Sequence, residues 1–428
     1  MSTAHPQLPS SGSVAFQVRI NIATAPGGGM ARSLAIGRRK RAPSLPRPDR
    51  PRFQWIATTL AAVVGLVVVV TAALGSSASA RPETPSLARK HRAAVAVSVS
   101  RKVTNDVVVG DSTAPLPTNT PFAPGSLVPS GQNQSDPLVI SDHGRYYLYT
   151  SSQPTQPIIN VPVTSSSSFN QWGPVTDALP VMPGWAVPGF TWAPDVHRFG
   201  AQYVLYFTAV VKGTSPAMEC IGSATSFSPT GPFTPSEKPF ICQSSQGGSI
   251  DPRVFTDDDG TNWMLFKSDQ NIGGATVPTR IWSQPLAADG LSLTGVPVDI
   301  LGPDEPWEGT VVEAPDLVRV NGIYWLFYSA NWFNQPQYAI GAARCTGPAG
   351  PCDEVSTTPL LASNFQGAGP GEESLLNSPA GVWMLYTPRK SLAPKPDIPP
   401  RPVYIVRIGF TARGPYLASG ATPPTLQP

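Results

Sequence analysis

The sequence predicts an all-β protein, a five-bladed β-propeller, and three observations carry that prediction. Proline is plentiful, at 51 residues, while charged residues make up only 13%, a balance that favours loop-rich β structure over helical bundles. Few stretches show sustained helical periodicity. Above all, one pattern recurs five times: "SDPLVISDHGRYYLYTS", "WAPDVHRFGAQYVLYFT", "IDPRVFTDDDGTNWMLFKS", "EAPDLVRVNGIYWLFYS" and "EESLLNSPAGVWMLYTP".

Each segment opens on a polar or acidic start, runs through a short apolar strand, turns at a glycine-containing stretch, and returns through a strand rich in Tyr, Trp, Leu and Phe. That is the pattern of a β-hairpin. Pro137, Pro194, Pro252 and Pro315 mark one place in the repeat at intervals of 57, 58 and 63 residues, and Glu372 follows Glu313 by 59. The rest of each unit suffices for two more strands, and five four-stranded units set radially make a propeller. Two stacked β-sandwiches would not explain why the motif recurs five times with acids at the start of the same strand.

Equivalent ends of the innermost strands converge near a propeller's axis, so the residues that open each repeat are expected to line one pocket. That register gives Ser135-Asp136, Trp192-Ala193, Ile250-Asp251, Glu313-Ala314 and Glu372-Glu373. Asp257, Asp258 and Asp259 precede Gly260 at a hairpin tip and are expected to turn the chain away from the pocket. Asp195 and Asp316, one residue past their prolines, are expected to satisfy backbone groups. Trp185, Phe190, Trp307 and Trp332 fall near blade ends, where they are candidates to shape subsites.

The flanks read differently. Residues 1–55 form a basic N-terminal extension, and residues 56–80 combine an apolar run, Ile56 to Leu74, with a small-residue site ending Ala78-Ser79-Ala80. This is either a cleaved export signal or a retained membrane anchor, and Met30 offers an alternative start that shortens the basic region. Residues 81–128 read as a Pro/Ser/Thr-rich linker, 129–420 as the propeller and 421–428 as a tail. A secreted or envelope-associated chain is expected, with possible membrane attachment through residues 56–74.

Residues 1–80 hold nine Lys/Arg and only Asp49 as an acid, so of 30 basic and 27 acidic residues the remainder keeps 21 and 26, a net charge of −5. With no basic stripe interleaved with aromatics, nucleic acid is excluded as an expected partner. Export permits disulfides, and the four cysteines fall into two local pairs, Cys220 with Cys242 and Cys345 with Cys352. Four histidines in all exclude a His-rich metal centre, and no nucleophile-elbow motif supports a serine hydrolase. Several acids converging in an exported pocket, without a cofactor motif, is the requirement of glycosidic-bond hydrolysis.

These repeats resemble glycoside hydrolase family 43, whose five-bladed propellers include arabinofuranosidases, β-xylosidases and arabinanases. The resemblance covers roughly residues 130–418. It implies that Asp136 is the general base, that Asp251 orients the acid and tunes its pKa, and that Glu313 is the general acid. It places Trp192 beside the sugar and points to Arg401, which leads "RPVYIVRIGFTARGPYL", as a contact of the catalytic carboxylates. The family inverts configuration, which implies a base and acid about 6.5–9.5 Å apart with water between them. The fifth blade departs from the family's frequent Gly-Pro-Gly-His. Here "GPGEESLL" puts Glu372 at the histidine's place, either as a substrate-binding residue of an altered site or as a ligand for a hard cation such as calcium. No cofactor is required for the chemistry, and a channel metal stays open. The expected function is an exported glycosidase acting on arabinose- or xylose-containing polysaccharide or oligosaccharide. The rival is a catalytically inactive carbohydrate-binding propeller on the cell envelope, and a third reading keeps the acids but changes the sugar.

Overall fold

The computed structural model describes residues 126–127, 134–153, 157–274, 276–364, 367–389 and 401–419. The basic extension, the apolar run Ile56 to Leu74, most of the linker and the tail lie outside the described residues. Among the described residues no helix is long and apolar enough to cross a membrane.

The chain forms five antiparallel sheets in sequence order. The first blade contains Leu138–Asp142, Arg145–Tyr149, Pro162–Ser166 and Thr176–Asp177. The second contains Ala186–Phe199, Gln202–Val211, Glu219–Ser226 and Thr234–Pro235. The third contains Ser249–Thr256, Asn262–Ser268, Ile281–Leu286 and Val298–Leu301. Val312–Val320, Ile323–Ala330, Ala339–Cys345 and Cys352–Glu354 make the fourth. The fifth is built on Ala368–Ser378, Gly381–Arg389 and Tyr404–Thr411.

The fifth blade's outer edge is shared. Gly414–Ala418 pairs with residues 407–411, and the short strand Ser126–Leu127 pairs with Tyr404 and Ile405. Two residues of the segment read as linker are thereby paired with the last blade, so chain from before the first blade is stitched to the fifth. The opening strands of successive blades neighbour one another around the ring, and that of the fifth meets that of the first.

Each second strand reads as a continuous apolar run because both its faces are buried. Tyr203, Leu205 and Phe207 pack toward the first blade, whereas the alternate residues Val204 and Tyr206 pack toward the third. The same division holds for Leu326 and Tyr328 against Trp325 and Phe327 in the fourth blade. Five hydrophobic clusters result, one at each blade interface.

Charge reinforces these interfaces where it is buried. Arg253 of the third blade donates from Nη1 to Asp195 Oδ1 of the second at 3.1 Å, and its Nε lies 3.4 Å from Asp316 Oδ2 of the fourth. Asp195 also accepts the Val254 N–H at 3.0 Å, and Asp316 accepts the Leu375 N–H at 2.8 Å, so both acids serve the backbone as expected. At the outer hairpin tip, the Gly260 N–H donates to the Asp257 carbonyl, and Gly260 has φ +82°. Asp257 and Asp258 face Arg319 at 3.1 and 2.9 Å, away from the axis. Both expected disulfides form, Cys220–Cys242 and Cys345–Cys352.

Candidate active site

The five opening strands share an unusual backbone feature. Asp136, Ala193, Asp251, Ala314 and Glu372, one in each blade, have φ between +46° and +55°. Non-glycine residues rarely adopt this left-handed region, and such strain clusters at functional sites. In four blades a register shift accompanies it, between Trp192 and Asp195, Ile250 and Arg253, Glu313 and Asp316, and Gly371 and Ser374. These bulges re-aim side chains toward the axis. The fifth-blade register is thereby corrected: the pocket pair is Gly371-Glu372, and Glu373, expected as an alternative pocket acid, is fully buried beneath it with Ser329 Oγ donating to its Oε2.

The N–H of a strained residue needs a partner, and for Ala193, Asp251, Ala314 and Glu372 the preceding blade supplies it. Ser151 Oγ accepts from Ala193 N at 3.3 Å, Thr208 Oγ1 from Asp251 N at 3.1 Å, and Ser329 Oγ from Glu372 N at 2.9 Å. In the third blade the equivalent second-strand position is Lys267, paired with Ile250 as Thr208 pairs with Trp192 and Ser329 with Glu313. Lacking a hydroxyl there, the molecule uses Asp251 itself, whose Oδ2 accepts the Ala314 N–H at 2.9 Å.

Asp136, Trp192, Asp251, Glu313, Glu372 and Arg401 all line one pocket of about 680 Å³. Phe190, Trp332 and Phe333 add aromatic surface to it. Trp185 and Trp307 do not reach it: they stack on Phe207 and Tyr328 inside the second and fourth blades. Asp136 accepts a hydrogen bond from the Ser151 hydroxyl. The indole N–H of Trp192 donates to Glu219 Oε2 at 3.0 Å, which fixes the ring's orientation. Arg401 is buried, donates to the Phe333 carbonyl at 2.9 Å and lies 5.8 Å from that ring's centroid, so it braces the aromatic wall as well as acting on Glu372 by charge.

Glu313 is held on both sides. Lys267 Nζ donates to its Oε2 at 3.0 Å, and the Tyr338 hydroxyl lies 2.7 Å from its Oε1 and 2.7 Å from Glu372 Oε1. Burial and then the Glu313 charge push Asp251 up to about 7. Glu219 is pushed up to about 8 by burial and then by Asp269. Burial pulls the Lys267 ammonium down, but Glu313, Asp269 and Asp251 more than reverse this and leave it above the ordinary lysine value. Glu372 stands well above the carboxylate range, through burial first and then the charges of Asp136, Glu313 and Asp251, against the opposing charge of Arg401.

The sequence reading missed Lys267, Tyr338, Glu219 and Ser151. Lys267 had a signal: aligned on their second strands, the repeats put Ser151, Thr208, Lys267, Ser329 and Thr387 in one column, with a single lysine among hydroxyls. Tyr338 had none, because it lies outside the repeated hairpins.

At the place open to a channel cation, Glu372 is engaged instead by the Tyr338 hydroxyl, 2.7 Å from its Oε1. Among the described residues no group of three or more His, Cys, Asp or Glu is arranged to hold a metal ion. No step below runs through one.

A five-bladed propeller whose opening strands deliver several carboxylates and an indole to one axial pocket defines a carbohydrate-active class of protein. The chain belongs to glycosyl hydrolases family 43, whose model matches residues 129–415. It is 29% identical over 265 residues to an arabinoxylan arabinofuranohydrolase of Bacillus subtilis (strain 168), covering 51% of this chain and 48% of that one. It is 26% identical over 224 residues to the extracellular endo-α-(1→5)-L-arabinanase 1 of the same organism, covering 48% and 64%. The chain thus spans about half the length of the curated relatives it matches. Among solved structures, a thermostable family-43 glycoside hydrolase superposes with a TM-score of 0.60 at 25% identity, covering 71% of this chain and 99% of that one.

Proposed function

We propose that the chain is an exported glycoside hydrolase that cleaves arabinose- or xylose-containing glycans with inversion, using Asp136 as base, Glu313 as acid and Asp251 as the group that tunes and positions the acid. The supporting observation is that these three acids and Trp192 line one pocket in a family 43 chain, delivered from equivalent places at the start of four different blades. Matched relatives named for arabinoxylan, arabinan and xylosidase activity support pentose glycans as substrate. The apolar run ahead of the propeller and two disulfides support export.

In this reading water attacks the anomeric carbon and passes a proton to Asp136, while Glu313 gives its proton to the leaving glycosidic oxygen, which takes the bond's electron pair. Ser151 holds Asp136 toward the water. Asp251 acts on Glu313 through charge and through the Ala314 N–H, which fixes the backbone beside the acid. Trp192, pinned by Glu219, offers an apolar face to the sugar.

Aryl α-L-arabinofuranosides, aryl β-D-xylosides, arabinan and arabinoxylan form the decisive substrate panel. Hydrolysis with an inverted first product is expected, with losses of at least about 10²-fold in Asp136→Ala, Glu313→Ala and Asp251→Ala. Sugar binding without release from any of these substrates would replace the glycosidase with a carbohydrate-binding propeller.

A further inference from the structure

A phenol carries one proton, yet Tyr338 Oη lies 2.7 Å from two carboxyl oxygens, Glu313 Oε1 and Glu372 Oε1. It donates to one of them. The other contact is a hydrogen bond only when that carboxyl is itself the donor and so carries a proton. Two arrangements satisfy the triad. In one, Glu313 donates to Tyr338 and Tyr338 donates to Glu372; in the other, both bonds reverse.

The fold makes room for this bridge. Gly371 occupies the column in which the other blades present Ser135, Trp192, Ile250 and Glu313, and a Cβ there would fall 2.0 Å from Tyr338 Cε1. The fifth blade thus gives up a side chain and the tyrosine ring passes between the two glutamates. Tyr338 is fully buried, and its own proton stays on through burial and the charges of Glu313 and Glu372.

We propose that Glu313, Tyr338 and Glu372 share one exchangeable proton, with Glu372 as the store from which the acid Glu313 is charged through the tyrosine hydroxyl. This rests on the glycosidase reading above. Lys267 beside Glu313 favours the arrangement with the proton on Glu372, as do the negative charges of Asp136 and Asp251 near Glu372, against the opposing charge of Arg401. Charging the acid breaks the Glu372 O–H bond and forms one at Tyr338, while the Tyr338 O–H breaks and one forms at Glu313. Glu313 then gives that proton to the leaving oxygen. The proton that water leaves on Asp136 returns to Glu372 through the water of the pocket, so each cycle ends with the carboxyls as they began. Tyr338 and Glu372 are positioning residues that act through Glu313.

Two variants test the store. Tyr338→Phe removes only the bridging hydroxyl, and Glu372→Gln keeps a hydrogen-bonding side chain that holds no transferable proton. Because a general acid matters most for a poor leaving group, both variants are expected to lose at least about 10²-fold in kcat/KM on pentose oligosaccharides and less than about 10-fold on a dinitrophenyl pentoside. The basic limb of their oligosaccharide pH profile is expected to move to lower pH. A structural role alone would depress both substrates alike and leave the limb in place, and that result overturns the proposal. Infrared difference spectra of wild type against Glu372→Gln at about pH 7 read the stored proton without turnover, through the carbonyl stretch of a protonated buried carboxyl. Absence of that band overturns the store whatever the activity. A wild type that shows the band yet hydrolyses no pentoside overturns the glycosidase reading and with it the use of the proton.

Discussion

At the scale of single residues, Lys267 has the most to explain. It is 1% exposed, and both its carboxylate partners, Glu313 and Asp269, are buried with it. Removing one partner of a buried pair leaves an uncompensated charge, which costs about 3–5 kcal/mol. Lys267→Met is therefore expected to lower the unfolding free energy by that amount in urea titration, and adding Glu313→Gln to recover part of the loss. Additive effects of the two substitutions would show that the pair is not coupled. The same residues mark where the sequence was legible. Asp251 and the triplet Asp257 to Asp259 separate on local grounds, because a run of acids before glycine is a turn and an acid before proline in repeat phase is not. Tyr338 escaped because its partners come from the fourth and fifth blades and nothing beside it in sequence reports them.

At the scale of the element, the opening strand does two jobs at once: it pairs with its neighbour and it breaks that pairing to turn residues into the pocket. The breaks fall at the left-handed residues, whose conformation costs an L-amino acid roughly 1–2 kcal/mol. Alanine at φ +46° is a direct measure of this cost. Ala193→Gly is expected to raise the unfolding free energy by up to about 1 kcal/mol, whereas glycine at an ordinary strand position costs about 0.5–1 kcal/mol. A destabilised variant in thermal or urea unfolding would show that the Ser151 hydrogen bond and the packing around residue 193, not backbone strain, dominate there. The strands, their order and their period were visible in the repeat. The bulges were not, because an inserted residue leaves the apolar pattern almost unchanged, and so the fifth-blade register came out one residue late, at Glu372-Glu373 instead of Gly371-Glu372.

At the scale of the whole molecule, the ring collects acids at its axis that no single blade could bury, and this sets an unusual dependence of stability on pH. Burial is the first cause in each case: Glu373 and Glu219 are pushed up to about 8, Asp251 to about 7 and Asp316 to about 6. In the unfolded chain these groups titrate near about 4. The folded state therefore binds protons more tightly than the unfolded state, and the stability this gives is complete below about pH 4 and is lost as pH rises through each folded value. Between about pH 4 and pH 8 the folded protein is expected to become less stable, on the order of a few kcal/mol, the reverse of ordinary acid denaturation. Glu373 isolates the effect. It is fully buried, its Oε1 has no hydrogen-bond partner among the described residues, and it lies behind the pocket floor. Glu373→Gln keeps the shape and the Ser329 hydrogen bond while removing the titration. The variant is expected to match wild type in urea near about pH 4, to exceed it at about pH 8, and to flatten the slope between. An unchanged slope would mean that Glu373 is ionised in the folded state, with Arg253 rather than a proton balancing its charge.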